Sequence, residues 1–502
     1  MKMQKRSLTI SNMAYPARVL LASVMIALSA GVRAEAEEAK PPNVLFIAVD
    51  DLRPELKSFG QEHMVTPHMD ALAQRGRAFS RHYVEAPTCG AARYALLTGQ
   101  YPKRNITYSN AAFRLYQDGV APPSFPQIFR ENGYHTVQMG KVSHSPDGLR
   151  DDQDRIAEVG IDNTYNNAPH KHFTNPEDPE LPGAWDVLIT PVGKWQTAWG
   201  AFFAYDRGET RRRGRSAAVE AADVDDTGYP DGLMAERARQ LLGELGERDE
   251  PFFFAVGFYK PHLPFNAPQK YWDLYERDAI DISHVDPLQR RGGEMINSYG
   301  HSAEDFDDEA HVRKILHGYY AATSYVDAQI GKVLDALDET GLAENTIVVL
   351  WGDHGFHLGE NGIWGKHSLH EQSLRSPLIV RVPGMPRPGE MADGIVASVD
   401  IYPTLMELAN LPMPEHLDGQ SFAAMLEDPK ADPIGFAVGF NFPRGGPTQA
   451  LRVDGWRYIQ GDGLYDRKND PNERENVAEA HPELVERMQA QLQEILDRRK
   501  AR

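Results

Sequence analysis

The 502-residue sequence has very little cysteine: Cys89 is its only one. A single cysteine cannot form an internal disulfide, so a fold held together by disulfide bonds is excluded and the core must supply the stability. A lone thiol is an incidental buried residue, an intermolecular cross-link or a reactive group. The cysteine count alone leaves these three alternatives open.

Positive charge is also scarce. The chain has 53 lysines and arginines against 72 aspartates and glutamates, a formal net charge of −19. So acidic a surface argues against nucleic acid as a partner. An anionic substrate would therefore need a local cluster of positive charge to hold it.

Long hydrophobic runs are missing as well. The run 19–32 is short for a membrane span. It follows a basic, acid-free start and precedes a small-x-small site at 32–34. This pattern is typical of a secretory signal peptide over residues 1–34, with an uncleaved anchor as the alternative. Loss of its five positive charges would take the net charge from −19 to −24. No cysteine follows the run, which excludes a lipoprotein-type anchor, so we expect an exported, periplasmic or secreted protein with no stable membrane anchor.

Two unbroken apolar runs predict buried strands. "NVLFIAVDD" (43–51) and "TIVVLWGDHG" (346–355) both end in polar residues. Short continuous runs suit strands buried on both faces. Between them, 321–341 repeats its apolar positions at helical spacing. Alternating strands and amphipathic helices predict an α/β fold with a largely parallel sheet, whose functional groups gather at the carboxyl ends of the strands.

The pattern changes near the C-terminus. From about Phe436, short alternating segments and turn dipeptides precede a final helical stretch. We expect a main domain over 35–430 and a small subdomain over 431–502, built from an antiparallel sheet and a helix. The polar, Pro- and Gly-rich stretch 145–230 is predicted to be mostly loop.

Acidic residues end both predicted strands. Asp50 and Asp51 follow the first, and Asp353 with His354 follows the second. Buried carboxylates this close repel one another unless a cation or protons intervene. Three carboxylates match a hard divalent ion such as calcium or magnesium. The alternative is capping of the following segment, which a single Asp pair would favour.

The cysteine begins a short predicted helix, "CGAARYALLTG" (89–99). A helix N-terminus presents backbone N–H groups and a positive dipole end to an anion. The small residues Gly90, Ala91 and Ala92 allow close approach, and Arg93 places a cation one turn away. These features suit a nucleophile that acts on an oxyanion ester.

The segment 89–99 resembles the sulfatase signature C-x-[PA]-x-R followed by Thr-Gly, in which the cysteine becomes formylglycine. The family's other blocks occur in the same order: "NVLFIAVDDLR", "GKVSH", "GFYKPHLPF", "WGDHGFHLGENGIWGKHSLHE" and "GLYDRKNDPNERENVA". The histidine of "GDHG" and the Lys-x-x-His of "GKVSH" look most like the iduronate-2-sulfatase branch. The resemblance implies an alkaline-phosphatase-like α/β fold and a sulfuric ester hydrolase.

The resemblance also implies a cofactor set. The hydrated aldehyde formed from Cys89 would supply a geminal diol, one hydroxyl attacking sulfur and the other later releasing sulfate. Calcium would polarise the sulfate and lower the pKa of the attacking hydroxyl. The implied ligands are Asp50, Asp51, Asp353, His354 and the modified Cys89. Histidine is an unusual ligand for so hard an ion.

The remaining catalytic positions come from the same resemblance. Arg93 and Lys141 would steady the formylglycine and the sulfate oxygens. His144 would hydrogen-bond the diol or take its proton. His262 and Lys366 would bind sulfate and help the leaving oxygen depart, by proton donation or charge.

Substrate and partners are implied less specifically. The resemblance points to a sulfated sugar or polysaccharide, such as a 2-O-sulfated uronic acid in a glycosaminoglycan-like glycan, and to a formylglycine-generating maturation enzyme. Ala91 and Ala92 stand where the commonest signature has Pro-Ser, so the maturation system stays open. The basic run 211–215 could attract a sulfated polymer, although its neighbours favour a solvated loop. The alternatives are a phosphonate or phosphate ester hydrolase and a non-catalytic sulfated-glycan-binding protein.

Overall fold

A computed structural model describes residues 40–103, 105–150, 171–174, 178–287, 294–443 and 446–500. The predicted signal peptide, residues 1–34, lies outside these ranges. Within them, no helix combines the length and the apolar content that crossing a membrane requires.

The described residues form seventeen β-strands, numbered here in chain order. They are β1 (Asn43–Val49), β2 (Arg77–Tyr83), β3 (His135–Gly140), β4 (Lys171–Thr174), β5 (Val187–Thr190), β6 (Val219–Ala222), β7 (Phe252–Phe258), β8 (Phe265–Pro268), β9 (Thr346–Gly352), β10 (His357–Leu358), β11 (Trp364–Gly365), β12 (Leu378–Arg381), β13 (Ala392–Ala397), β14 (Phe436–Asn441), β15 (Thr448–Val453), β16 (Trp456–Ile459) and β17 (Gly463–Asp466).

The same ranges contain thirteen α-helices. They are α1 (Pro67–Arg75), α2 (Cys89–Thr98), α3 (Arg114–Gln117), α4 (Phe125–Glu131), α5 (Ala198–Phe202), α6 (Pro230–Gly246), α7 (Gln269–Trp272), α8 (Glu294–Tyr299), α9 (Glu309–Glu339), α10 (Glu371–Leu374), α11 (Ile401–Leu408), α12 (Ala423–Glu427) and α13 (Pro482–Lys500).

One large sheet organises the fold, with strand order β13-β2-β12-β9-β1-β7-β3-β5-β4. The central pairs β9–β1, β1–β7 and β7–β3 are parallel, whereas β12 runs antiparallel to both of its neighbours. Parallel strands need crossover connections, which the helices supply. The prediction of a mostly parallel α/β sheet is confirmed.

The apolar run 43–49 becomes β1, and each of its side chains is buried. Leu45, Ile47 and Val49 enter one core with residues of α1, α6 and α9. Val44 and Phe46 enter a second core with residues of α2, α4 and α11. Because successive side chains of a strand point to opposite faces, a strand covered on both sides reads as a continuous apolar run.

The C-terminal sheet is antiparallel, with order β14-β15-β16-β17, and α13 follows it. Its first strand begins at Phe436, where the sequence pattern changes. The predicted antiparallel sheet and final helix are therefore present. The domain boundary at residue 430 stays a prediction.

The stretch 145–230 is more ordered than its composition predicts. Its described part contains β5, which pairs in parallel with β3 in the main sheet, and β6, which pairs with β8. These strands have four residues each. Such short segments carry too few residues for a period to stand out against polar neighbours. Residues 151–170, also predicted to be loop, lie outside the described ranges.

Candidate active site

The carboxyl ends of the central strands meet at one edge of the sheet, and the predicted site residues lie there. Asp50 and Asp51 follow β1, Asp353 and His354 follow β9, and Lys141 follows β3. The last connection is tight: Gly140 has φ 67, and a Cβ there would lie 2.2 Å from the carbonyl oxygen of Gly257 in β7. Only glycine suits this turn, which aims Lys141 at the site.

Three buried carboxylates form the acidic centre, defined as Asp50, Asp51 and Asp353. The Asp51 backbone N–H donates to Asp353 Oδ1 at 2.9 Å. Asp51 has φ 59, a left-handed conformation that non-glycine residues seldom adopt. Strain of this kind is concentrated at functional sites.

Cys89 is the first residue of α2 and faces the acidic centre. Its Sγ lies 3.5 Å from Asp50 Oδ1 and 3.3 Å from His354 Nε2. Burial, and then the negative charge of Asp50, raise the pKa of the Cys89 thiol above its ordinary value. The unmodified side chain is therefore a thiol at neutral pH, and a thiol is a poor nucleophile.

Three buried cations oppose the three carboxylates. Lys141 Nζ donates to Asp50, and Lys366 Nζ lies 2.6 Å from Asp51 Oδ1. Arg93 Nε and Nη2 both lie 3.0 Å from Asp353 Oδ2. Burial alone would raise the pKa of Asp50, but the charges of Lys141 and Arg93 outweigh it and hold that pKa well below its usual value. Asp50 is therefore ionised at neutral pH.

Two histidines present one ring nitrogen to this centre. His354 Nδ1 lies 2.9 Å from the Gly355 carbonyl oxygen, which requires a proton on Nδ1. His354 Nε2 then offers its lone pair 3.3 Å from Asp51 Oδ1. His262 repeats the arrangement, with Nδ1 2.6 Å from the Leu263 carbonyl oxygen and Nε2 3.9 Å from Asp51 Oδ2. A backbone partner that fixes the tautomer is typical of metal-ligating histidines.

His144 is buried and lines a cavity beside the site. Its Nδ1 is buried and has no hydrogen-bond partner among the described residues. Its ring contacts Trp199 edge to face, with 5.6 Å between centroids. Burial, followed by the charge of Lys141, holds the pKa of His144 well below its usual value, so the ring is neutral. A neutral imidazole with an open nitrogen can accept a proton.

The five predicted metal residues come together around one point. Ligand atoms of Asp50, Cys89, Asp353 and His354 all lie within 4.8 Å of one another, as do those of Asp50, Asp51, Cys89 and His262. The donors are mostly carboxylate oxygens, which suit a hard divalent ion. The protein therefore has a buried acidic cluster able to bind a metal ion, and His262 adds a nitrogen beyond the predicted set.

Sequence reasoning gave no role to Lys260, which supports the site from outside. Its buried Nζ donates to the carbonyl oxygens of His262 and Pro264, at 3.0 and 2.6 Å. Burial lowers the pKa of Lys260 to about 8. Lys260 therefore positions the loop that carries His262. The only indication of this role in the sequence is that Lys260 directly precedes "PHLPF".

A contact between distant residues fastens the loop before Cys89. Thr88 Oγ1 lies 2.9 Å from His367 Nδ1, and the His367 carbonyl oxygen accepts from Asn441 Nδ2 at 2.9 Å. These three residues come from three separate regions of the chain. Sequence spacing gives no indication of such a contact.

The basic run 211–215 begins close to the site. The Arg211 guanidinium lies 3.6 Å from the ring centroid of Phe203, and that ring lies 5.8 Å from the ring of His262. Arg212, Arg213 and Arg215 are exposed, as expected for a solvated loop.

A sequence profile described as Sulfatase matches residues 42–411, most of the chain. The chain belongs to the sulfatase family. A sulfatase of Formosa agariphila is 33% identical over 470 residues, covering 88% of this chain and 84% of that protein. The iduronate 2-sulfatase of Mus musculus is 31% identical over 448 residues, covering 80% of this chain and 75% of the other.

The fold of the sulfatase also matches solved structures. A phosphonate monoester hydrolase of Agrobacterium radiobacter superposes with a TM-score of 0.69 at 22% identity, covering 91% of this chain and 96% of that one. This likeness concerns the fold, and it confirms the predicted alkaline-phosphatase-like fold class. The prediction of a sulfuric ester hydrolase is confirmed by the family match. The roles assigned to individual site residues stay predictions.

Proposed function

We propose that this sulfatase releases sulfate from a sulfated carbohydrate, with formylglycine at position 89 and calcium in the acidic centre. Its 31% identity to an iduronate 2-sulfatase favours a 2-O-sulfated uronic acid as the substrate. We further propose that a maturation enzyme converts Cys89 and that the protein is exported. The observation that carries the proposal is the position of Cys89, with Lys366 Nζ 3.2 Å from its Sγ and the acidic centre beside it.

Formylglycine and calcium would contribute different chemistry to the reaction. Formylglycine at position 89 would supply a hydrated aldehyde, whose two hydroxyls would serve as the nucleophile and as the group that releases sulfate. Asp50, Asp51, Asp353, His354 and residue 89 would hold calcium, which would supply a positive charge that polarises the sulfate. The site raises the pKa of the unmodified Cys89 thiol, so without conversion residue 89 would be a weak nucleophile.

The cations of the site bind the sulfate oxygens. Lys141, Lys366 and Arg93 balance the carboxylates in this structure. When a divalent ion balances the carboxylates instead, the two lysines become available to the substrate anion. Fixed charges in a water-excluded site stabilise developing negative charge more strongly than water does.

The histidines move protons. His144 Nδ1, with no hydrogen-bond partner among the described residues, can take the proton of a nucleophilic hydroxyl. Burial and the charge of Lys366 hold the pKa of His262 well below its usual value in this structure. An anionic substrate beside the ring raises that pKa, because an opposite charge favours the protonated form. Protonated His262 or Lys366 can then donate to the leaving oxygen.

The first test is the mass of the tryptic peptide "HYVEAPTCGAAR" (82–93) from protein made in its own host. We expect oxygen in place of sulfur and the loss of two hydrogens. An intact thiol in this peptide, together with no sulfate release, would contradict the proposal. Replacement of Cys89 by alanine serves as the matched inactive control.

One rival function has a structural neighbour in its favour, the phosphonate monoester hydrolase with a TM-score of 0.69. The same aldehyde and metal could serve a phosphonate ester. Comparison of kcat/KM for the sulfate and phosphonate esters of one phenol separates the two functions. We expect a preference for the sulfate, and a preference for the phosphonate would overturn the proposal.

A further inference from the structure

A cavity of about 930 Å3 adjoins the candidate active site. Thr88 and His144 line it; Thr88 directly precedes Cys89, and His144 follows Lys141 by three residues. Ligand pockets of about 300–1,000 Å3 hold small molecules, so this one has room for a sugar residue. Its lining also includes Tyr108, Arg114 and Phe442, to which neither sequence reasoning nor the reaction assigns a role.

Aromatic rings form one wall of the cavity. Tyr108 and Phe442 lie with centroids 5.8 Å apart and ring planes inclined by 31°. Phe442 is 42% exposed, which is unusual for so large an apolar side chain. An exposed apolar surface rimmed by polar groups marks a binding groove, and aromatic rings at such a groove suit the apolar face of a pyranose.

The aromatic wall is tied to the catalytic segment. Phe442 follows Asn441, whose Nδ2 donates to the His367 carbonyl oxygen, and His367 contacts Thr88. The residues flanking Phe442 and Cys89 are thus joined by two hydrogen bonds. The wall therefore has a fixed position relative to the reacting atoms.

Arg114 supplies a positive charge at the same cavity. It is exposed at the start of α3, and its guanidinium makes no hydrogen bond or ion pair with any residue that the structure describes. Glu180, the carboxylate among the lining residues, accepts the Ser145 backbone N–H at 2.7 Å and is itself buried. Because no described residue pairs with it, the positive charge of Arg114 at the cavity is available to an anion.

We propose that this cavity binds the sugar ring of the substrate and that Arg114 binds a second anionic group on that sugar, besides the sulfate to be removed. This inference rests on the proposed function and adds to it a specificity-determining residue, Arg114, for the carboxylate of a uronic acid or for a second sulfate. A guanidinium pairs with a carboxylate or a sulfate through two parallel hydrogen bonds. Tyr108 and Phe442 stack on the ring and contribute no charge.

The test uses three methyl glycosides sulfated at O2: a uronic acid, its carboxyl-reduced counterpart, and that counterpart with a second sulfate at O6. Their affinities for the full-length protein are measured by calorimetry, and kcat/KM is measured where sulfate is released. Arg114→Gln should weaken binding of the two dianionic sugars by about 10- to 100-fold, the usual effect of losing a charged hydrogen bond. The affinity for the singly sulfated sugar should change less than twofold. Of the two dianionic sugars, the one whose affinity falls more identifies the second anion as carboxylate or sulfate.

Two further variants sharpen the result. Arg487→Gln removes an exposed arginine of α13 that does not line the cavity, and it should leave all three affinities unchanged. Phe442→Ala should weaken the binding of all three sugars by the same factor, because an apolar ring does not distinguish charged from uncharged substituents. Equal losses for all three sugars in Arg114→Gln, or no loss, would overturn the inference.

Failure of the proposed function gives a different result. If the wild type releases sulfate neither from these sugars nor from an aryl sulfate, the hydrolytic function fails, while the binding measurements still decide the role of Arg114. If the wild type hydrolyses an aryl sulfate and Arg114→Gln binds all three sugars as the wild type does, only the inference fails.

Discussion

At the scale of single residues, much of the candidate site could be predicted. The expected metal residues, with Arg93, Lys141, His262 and Lys366, lie in one buried cluster around Cys89, and His144 lines the cavity beside it. Local patterns indicated part of it, because an apolar run that stops at polar residues marks a strand end, and a helix N-terminus marks Cys89. Lys141, His144, His262 and Lys366 came only from the resemblance to the sulfatase family. Contacts such as Thr88 with His367 join residues far apart in sequence, and no local pattern encodes them.

Gly90 gives a residue-scale prediction about the signature segment. A Cβ there would lie 2.5 Å from Asn110 Cα and 2.8 Å from Asn110 O, both backbone atoms. We expect Gly90→Ala to displace the start of α2, since overpacking against backbone costs about 1–3 kcal/mol. Misplaced reacting groups should lower kcat/KM for an aryl sulfate by about 100-fold or less, because a shift of about 1 Å has an effect of that size.

The matched control for this substitution is Gly243→Ala in α6, where a Cβ would meet no atom within 4 Å. Alanine is favoured over glycine in a helix by about 1 kcal/mol. The control should therefore keep full activity and melt at the same or a higher temperature. Wild-type kcat/KM in Gly90→Ala would show that the close approach of Asn110 does not position Cys89.

At the scale of elements, strands were easier to predict than their arrangement. The runs that became β1 and β9 and the helical stretch within α9 were visible because period and burial are local properties. The antiparallel direction of β12 and the inclusion of β5 in the main sheet were not visible. Strand direction and order depend on contacts across hundreds of residues.

A buried ionic cluster joins the C-terminal sheet to the segment that carries Lys366. Arg457 in β16 lies 2.5 Å from Glu371 in α10 and 2.6 Å from Glu473. Glu473 also accepts the Glu371 backbone N–H at 3.0 Å. Burial alone would raise the pKa of Glu473, but the charge of Arg457 outweighs it and lowers that pKa from 4.5 to about 2.

We expect Glu473→Gln to destabilise the protein by about 3 kcal/mol at pH 7, because it leaves a buried arginine with one carboxylate fewer. A carboxylate whose pKa is lower in the folded state contributes stability above its unfolded pKa and loses that contribution as the pH falls. The difference from wild type should therefore shrink between pH 4.5 and about 2. Denaturant unfolding at several pH values measures it.

The control for this prediction is the exposed pair of Arg498 and Glu494 in α13. Glu494→Gln should change the free energy of unfolding by less than about 0.5 kcal/mol at any pH, as is usual for surface pairs. A destabilisation by Glu473→Gln that stays constant with pH would mean that the lost contact is steric rather than ionic.

At the scale of the whole molecule, a negative net charge is combined with a buried cluster of carboxylates, the acidic centre. The chain carries −19 overall and brings three carboxylates to one buried point. The groups around that point come from distant parts of the sequence: 50–51, 89–93, 141, 262 and 353–366. An ion bound there links segments that separate when the protein unfolds, so ion binding must raise global stability.

We therefore expect a chelator to lower the melting temperature of the mature protein by a few degrees and calcium to restore it, since saturation at about 100 times Kd adds about 2.7 kcal/mol. Diffuse binding of calcium to an acidic surface would also raise the melting temperature, so two variants are compared at fixed ionic strength. Asp353→Asn in the acidic centre should lose the calcium shift, whereas Asp338→Asn, which removes an exposed acid paired with Arg75, should keep it. An equal shift in both variants would place the calcium effect on the surface, and no shift in the wild type would contradict a metal in the acidic centre.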